Sequence, residues 1–129
     1  TKQEQVLFKQ ISSLFADKSA SEIHKLLSDL LGLEEKIMLA KRLAIIILLD
    51  RQKTSYFIAS TLHVSSATVT RIDALYKNGE YVHIASLFRK KTISINTILE
   101  NLDTILHLGG ILPHYGQTHR SEAFKKQKR

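Results

Sequence analysis

The chain of 129 residues contains no cysteine, no tryptophan, one proline and five glycines. Without cysteine there are no disulfides, no thiolate nucleophiles and no thiolate zinc sites, a pattern that suits a reducing compartment. A single proline leaves nearly all of the chain free of helix breakers. No Gly-rich phosphate loop is present, since Gly109-Gly110 lacks a following Lys and reads as a helix end. The longest apolar run, Leu43 to Leu49, is bracketed by Lys41, Arg42, Asp50 and Arg51, far short of the roughly 20 residues a membrane span needs. The opening Thr1-Lys2-Gln3-Glu4-Gln5 is polar and leads into no apolar core, so a secretory leader is not expected and the expected location is cytoplasmic.

A hydrophobic content of 43% indicates a folded chain, and the length allows one modest core. The formal charge is +7, but its distribution is uneven. Residues 117–129 hold Arg120, Lys125, Lys126, Lys128 and Arg129 against Glu122, a net of +4 that leaves +3 for residues 1–116. The balance is compatible with a polyanionic partner without requiring one. The expected division is a helical body over 1–110 and a basic tail over 111–129.

Apolar residues recur at helical spacing along most of the body. Val6, Leu7, Ile11, Leu14 and Phe15 mark a first helix. Ser19 or Ser21 caps a second, lined by Ile23, Leu26, Leu27, Leu30 and Leu31 and ended by Gly32. A third runs from Leu33 to about Arg51, with Glu34 and Glu35 at its positive end. Its run of three isoleucines also permits a buried strand, but the surrounding period favours helix. Such a helix is apolar nearly all round and needs cover on several sides, which points to a second subunit. Lys77-Asn78-Gly79 is a stop and turn, and Glu80–Phe88 is a short helix burying some of its apolar residues. Arg89-Lys90-Lys91 reads either as a solvated turn or as a phosphate contact. Ser94 caps a last helix carrying Ile95, Ile98, Leu99, Leu102, Ile105, Leu106 and Leu108.

Residues 54–76 read as a helix-turn-helix. Two short helices that cross closely need a small residue at the crossing, and Ala59 supplies it. Leu62, Val64, Val69 and Ile72 fall where the pair needs core contacts, and Ser65 is placed to cap the second helix. Ser66, Thr68, Thr70 and Arg71 are the expected outward positions, as a helix entering a major groove requires. The turn position is His63, where a left-handed backbone costs a non-Gly residue energy. A purely structural helical hairpin is the bland alternative.

Leu33-Glu34-Glu35 leading into a long apolar helix, Lys53-Thr54 joining that helix to the motif, and Ala67-Thr68-Val69-Thr70-Arg71 together resemble the Trp repressor superfamily, especially its Trp-repressor-like branch, over about Leu31 to Lys77. The resemblance implies an all-α, intertwined homodimer whose recognition helices enter successive major grooves, with half-site centres about 34 Å apart. Carried onto this chain, it makes Ser65, Ser66, Ala67, Thr68 and Thr70 the base-reading candidates, Ala67 being suited to a thymine methyl. Lys53, Ser55, Tyr56 and Lys77 are then placed near phosphates, which position without reading sequence. Arg71 matches a corepressor-holding Arg, or alternatively meets a phosphate or a guanine. The family's pocket has a Gly just after that Arg and a Ser one turn on. Here Ile72 and Leu75 stand there, bulky enough to fill the space of an indole, while Arg42 lies near the other side one position out of register.

The six histidines fall singly, apart from His114 and His119, with no metal-binding spacing, and His63 is the one to watch for a pH-dependent phosphate contact. No serine sits in a nucleophile elbow, and adjacent Glu34 and Glu35 point apart. No cofactor, no metal and no enzymatic activity are expected. The reading is a homodimeric, repressor-like regulator of transcription that binds double-stranded DNA. The alternatives are a docking factor for replication, recombination or transposition, and a helical protein–protein adaptor. Titration with tryptophan in a calorimeter should give no saturable heat; saturable binding at micromolar concentration would contradict the filled-pocket reading.

Overall fold

A computed structural model of the chain describes residues 1–91 and 94–107, with side chains to residue 105. Seven helices and no strand are found among the described residues: α1 (Lys2–Ser13), α2 (Ala20–Leu30), α3 (Leu33–Asp50), α4 (Ser55–Leu62), α5 (Ser66–Lys77), α6 (Val82–Lys90) and α7 (Ile95–His107). The chain is all-α. It divides into two compact units, Thr1–Glu35 and the part from Lys36 onward. Leu108, the Gly109-Gly110 stop, the His114/His119 pair and the basic tail lie outside the described residues.

In the first unit both helices open on capping boxes. Thr1 and Glu4 satisfy each other's backbone amides at the start of α1, and Ser19 and Glu22 do so for α2. Ser19, not Ser21, is therefore the cap. Gly32 is not the left-handed terminator that its place after an apolar helix predicts; its N–H donates to Glu35 Oε1 at 2.9 Å, which helps open α3. No residue of α1 or α2 is buried, and Phe8 is 64% exposed.

The second unit is built on α3. Every side chain from Ala44 to Leu49 is buried, so this stretch is apolar all round because it is covered all round. The same core cluster contains Ile58, Ala59 and Leu62 of α4, Val69 and Ile72 of α5, Phe88 of α6, and Ile95 and Leu102 of α7. The β-branched run is thus helical, as its surroundings require. The expectation that it needs a partner subunit for cover fails, because one chain supplies enough helices. On α6, Ala85 and Phe88 turn inward while Val82, Ile84 and Leu87 stay exposed. Ser94 does cap α7, its hydroxyl accepting from Asn96 N–H at 3.2 Å.

Three helices end on a residue with positive φ, closed by a bond from the following amide to a carbonyl five residues back. These are Gln52 after α3 (φ 63°), His63 after α4 (φ 55°) and Gly79 after α5 (φ 84°). The closing bonds are Lys53 N–H to Leu48 C=O at 3.0 Å, Val64 N–H to Ala59 C=O at 3.1 Å, and Glu80 N–H to Leu75 C=O at 3.1 Å. Gly adopts this conformation freely, whereas other residues carry strain of about 1–2 kcal/mol there. Exposed Gln52 should therefore be improvable: Gln52→Gly is expected to raise stability by about 0.5–1 kcal/mol, and Gly79→Ala to lower it by about 1 kcal/mol. Urea unfolding of the two variants checks the pair, and a neutral Gly79→Ala would contradict the strain argument.

Candidate nucleic-acid interface

The motif is assembled by two caps and one close crossing. Thr54 Oγ1 accepts from Phe57 N–H at 3.1 Å and starts α4. Ser65 Oγ accepts from Thr68 N–H at 3.1 Å and starts α5. Ala59 is buried, and α4 packs on α5. Between them His63 takes the left-handed conformation (φ 55°, ψ 47°) that its sequence position demands. Its imidazole is buried, 5% exposed, so it packs inside the turn and does not offer the solvent-facing phosphate contact its position suggests.

The recognition helix α5 is divided lengthwise. Val69 and Ile72 are buried and Tyr76 is half-buried, a spacing of three and four that forms one inner stripe. Ser66, Ala67, Thr70 and Arg71 are exposed on the other side. Ala74 is exposed too and continues that stripe, a position that spacing of three and four from Arg71 and Thr70 marks but whose small apolar side chain gives no chemical signal. Among the described residues, the Ser66 and Thr70 hydroxyls make no hydrogen bond and Arg71 makes no ion pair. Thr68 differs from the outward placement expected of it. It is half-buried, and its hydroxyl is hydrogen-bonded to that of Ser65 at 2.8 Å, so these two side chains complete the cap together.

Around this stripe, Ser55 and Tyr56 are exposed in the first turn of α4, and the Lys53 ammonium lies 5.7 Å from the centre of the Phe57 ring, within cation–π range. Lys77 Nζ is 3.0 Å from Asp73 Oδ2 on the same helix. Of the two residues expected to fill an indole-sized space, Ile72 belongs to the core and Leu75 is 40% exposed.

One feature escaped the sequence. Asp50, the last residue of α3, accepts hydrogen bonds from Tyr76 Oη at 2.7 Å and from Arg89 Nε at 2.7 Å; Arg89 Nη2 bonds Asp50 as well. Arg89 is therefore fixed to α3, not free in the solvated turn its Arg-Lys-Lys context indicates. The Asp50 side chain is only 10% exposed, so its charge needs these partners. The Arg89 guanidinium beside it, more than burial opposes, holds the Asp50 carboxyl below its ordinary range, and the Asp50 carboxylate pushes the Tyr76 hydroxyl up.

Two short helices packed on each other, the second capped and exposing a polar stripe, form a helix-turn-helix. A family model described as Trp repressor protein matches residues 2–99, and the chain belongs to that family of DNA-binding transcription regulators. The match takes in α1 to α6 and the start of α7, well beyond the Leu31–Lys77 stretch in which the resemblance is visible by motif. No curated protein and no solved structure matches the chain. Among the described residues, no helix is long and apolar enough to cross a membrane, and no group of three or more His, Asp and Glu side chains could hold a metal ion.

The Asp50 bridge has a definite pH dependence. A carboxyl whose pKa is lowered by folding contributes stability that is complete above its unfolded value, about 4, and that is lost as pH falls through the lower folded value. The stability gap between the wild type and Asp50→Asn should be constant from neutral pH to about pH 5 and should shrink below about pH 4. Denaturant unfolding across that range measures it; a gap unchanged down to about pH 2 would show that folding does not lower the Asp50 pKa.

Proposed function

We propose that this protein is a homodimeric, repressor-like regulator that reads a pseudo-palindromic site in double-stranded DNA in the cytoplasm, without tryptophan as corepressor. The observation that carries this reading is the outward stripe of α5, where Ser66, Ala67, Thr70 and Arg71 stand exposed on a helix whose other side is locked into the core. Hydroxyls hydrogen-bond base edges or phosphates, a methyl packs on thymine, and a guanidinium suits guanine or phosphate. Ser65 and Thr68 then shape the entry of the helix more than they read bases. Lys53, Ser55, Tyr56 and Lys77 serve as phosphate contacts at the rim.

Dimerisation is supported by apolar side chains left uncovered in one chain: Val6, Leu7 and Phe8 of α1 in the first unit, and Val82, Ile84 and Leu87 of α6 in the second. Of these, Ile84 and Leu87 lie one helical turn apart, where their side chains are neighbours. A second copy that covers them would also give the two-fold symmetry of a two-half-site operator.

Selection of bound duplexes from a random pool is expected to return a two-half-site sequence, with half-sites one helical turn apart and affinity falling steeply with salt. Thr70→Ala with Arg71→Ala should lose at least tenfold at the selected site and relax its sequence preference, whereas Lys53→Ala should weaken all duplexes alike and reduce the salt slope by about one. A pool with no enriched sequence would overturn the reading.

A further inference from the structure

We propose that Asp50, Tyr76 and Arg89 form a positioning bridge that fixes the tilt of α5, and with it the ability to tell one DNA sequence from another. The inference rests on the DNA-reading function proposed above. Its starting point is a division of labour between two kinds of contact. Val69 and Ile72 press α5 onto the core, but apolar contacts are non-directional. With the half-buried Tyr76 ring packed on the same core they set the depth of the helix and its rough direction, and what they lack is a directional restraint on its fine tilt. Hydrogen bonds are directional, weakening steeply when bent, and they supply what the apolar pair lacks.

The geometry places that directional contact where it has most leverage. Tyr76 is next to the last residue of α5, and Ser66 is the first. The ten residue steps between them span about 15 Å at 1.5 Å per residue, so a tilt of about 10° pivoting near Tyr76 moves the reading end by about 2–3 Å. A shift of that size breaks hydrogen bonds to base edges while leaving long, flexible lysines able to reach phosphates.

The acceptor is itself held. Asp50 takes its position from buried α3, and Arg89 of α6 grips it through two nitrogens, a bidentate arrangement that fixes carboxylate orientation as well as place. The three residues come from three helices and are separated by 26 and 39 positions in sequence, so the bridge ties the reading helix to the elements before and after it. Arg89 is 62% exposed, which makes its ion pair a weak stabiliser of the fold as a whole. Orientation is the property it governs.

The test compares the duplex recovered by selection with a scrambled duplex of equal length, at one salt concentration. Tyr76→Phe removes one hydroxyl and keeps the ring. It should still fold, with a modest drop in melting temperature, bind the scrambled duplex unchanged, and lose about tenfold at the selected duplex, a loss of the size that a hydrogen bond to a charged group supports. Arg89→Met should likewise lose preference, with Arg89→Lys intermediate because an ammonium cannot reproduce the fork. If Arg89 were only a phosphate contact, Arg89→Met would weaken both duplexes equally and Arg89→Lys would restore both, and that outcome overturns the bridge. Full sequence preference in Tyr76→Phe also overturns it while leaving the DNA-reading function intact. A wild type that prefers no duplex removes the function, and the bridge with it.

Discussion

Six consecutive side chains of α3, Ala44 to Leu49, have to be kept from water at once, and the rest of the second unit is arranged around that requirement. A helix buried on one face needs one neighbour; a helix buried all round needs a ring of them. Four helices supply it with Ile58, Leu62, Val69, Ile72, Phe88, Ile95 and Leu102. Each large aliphatic side chain so buried contributes about 1.5–3 kcal/mol, several times the net value of one hydrogen bond. Packing around α3 therefore decides the fold, and hydrogen bonds refine it.

This order of magnitudes explains how a reading surface arises. Val69 and Ile72 of α5 turn inward into the same core as the buried run of α3. The helical repeat then sends Ser66, Ala67, Thr70 and Arg71 to the opposite side, with no separate device needed to expose them. The Ser65 cap, with Thr68 as its companion, sets where the helix begins and hence which residues come first. The left-handed turn at His63 joins α4 to α5, which pack on each other, and its ring is buried.

What was legible in the sequence follows from the range of the forces involved. Helix periods, the Ser65 cap, the Ala59 crossing and the Gly79 stop depend on residues within a turn or two of each other, and each appears in the structure where local spacing places it. Gly32 follows the end of α2 where local spacing places a stop, but its N–H serves the next helix because Glu35 reaches back to it, which spacing alone does not announce. Burial of His63 and cover of the Ile run within one chain depend on helices distant in sequence, so no local pattern announces them. Asp50 is the clearest case. Its partners lie 26 and 39 residues away, and neither an Asp at a helix end nor an Arg in a basic turn identifies the other. At the interface, exposure on α5 was legible from period alone, whereas the engagement of Thr68 and the anchoring of Tyr76 were not.

The absence of cysteine allows the central claim, that packing on α3 presents one fixed side of α5, to be measured directly. Single substitutions Ala67→Cys, Thr70→Cys, Arg71→Cys and Val69→Cys each introduce the only thiol in the chain. Their rates of modification by a soluble thiol reagent report exposure residue by residue. The account predicts fast modification at 67, 70 and 71, slow modification at 69, and protection by bound duplex confined to the first three. Equal rates at all four positions, or duplex protection that spares 67, 70 and 71, would contradict it.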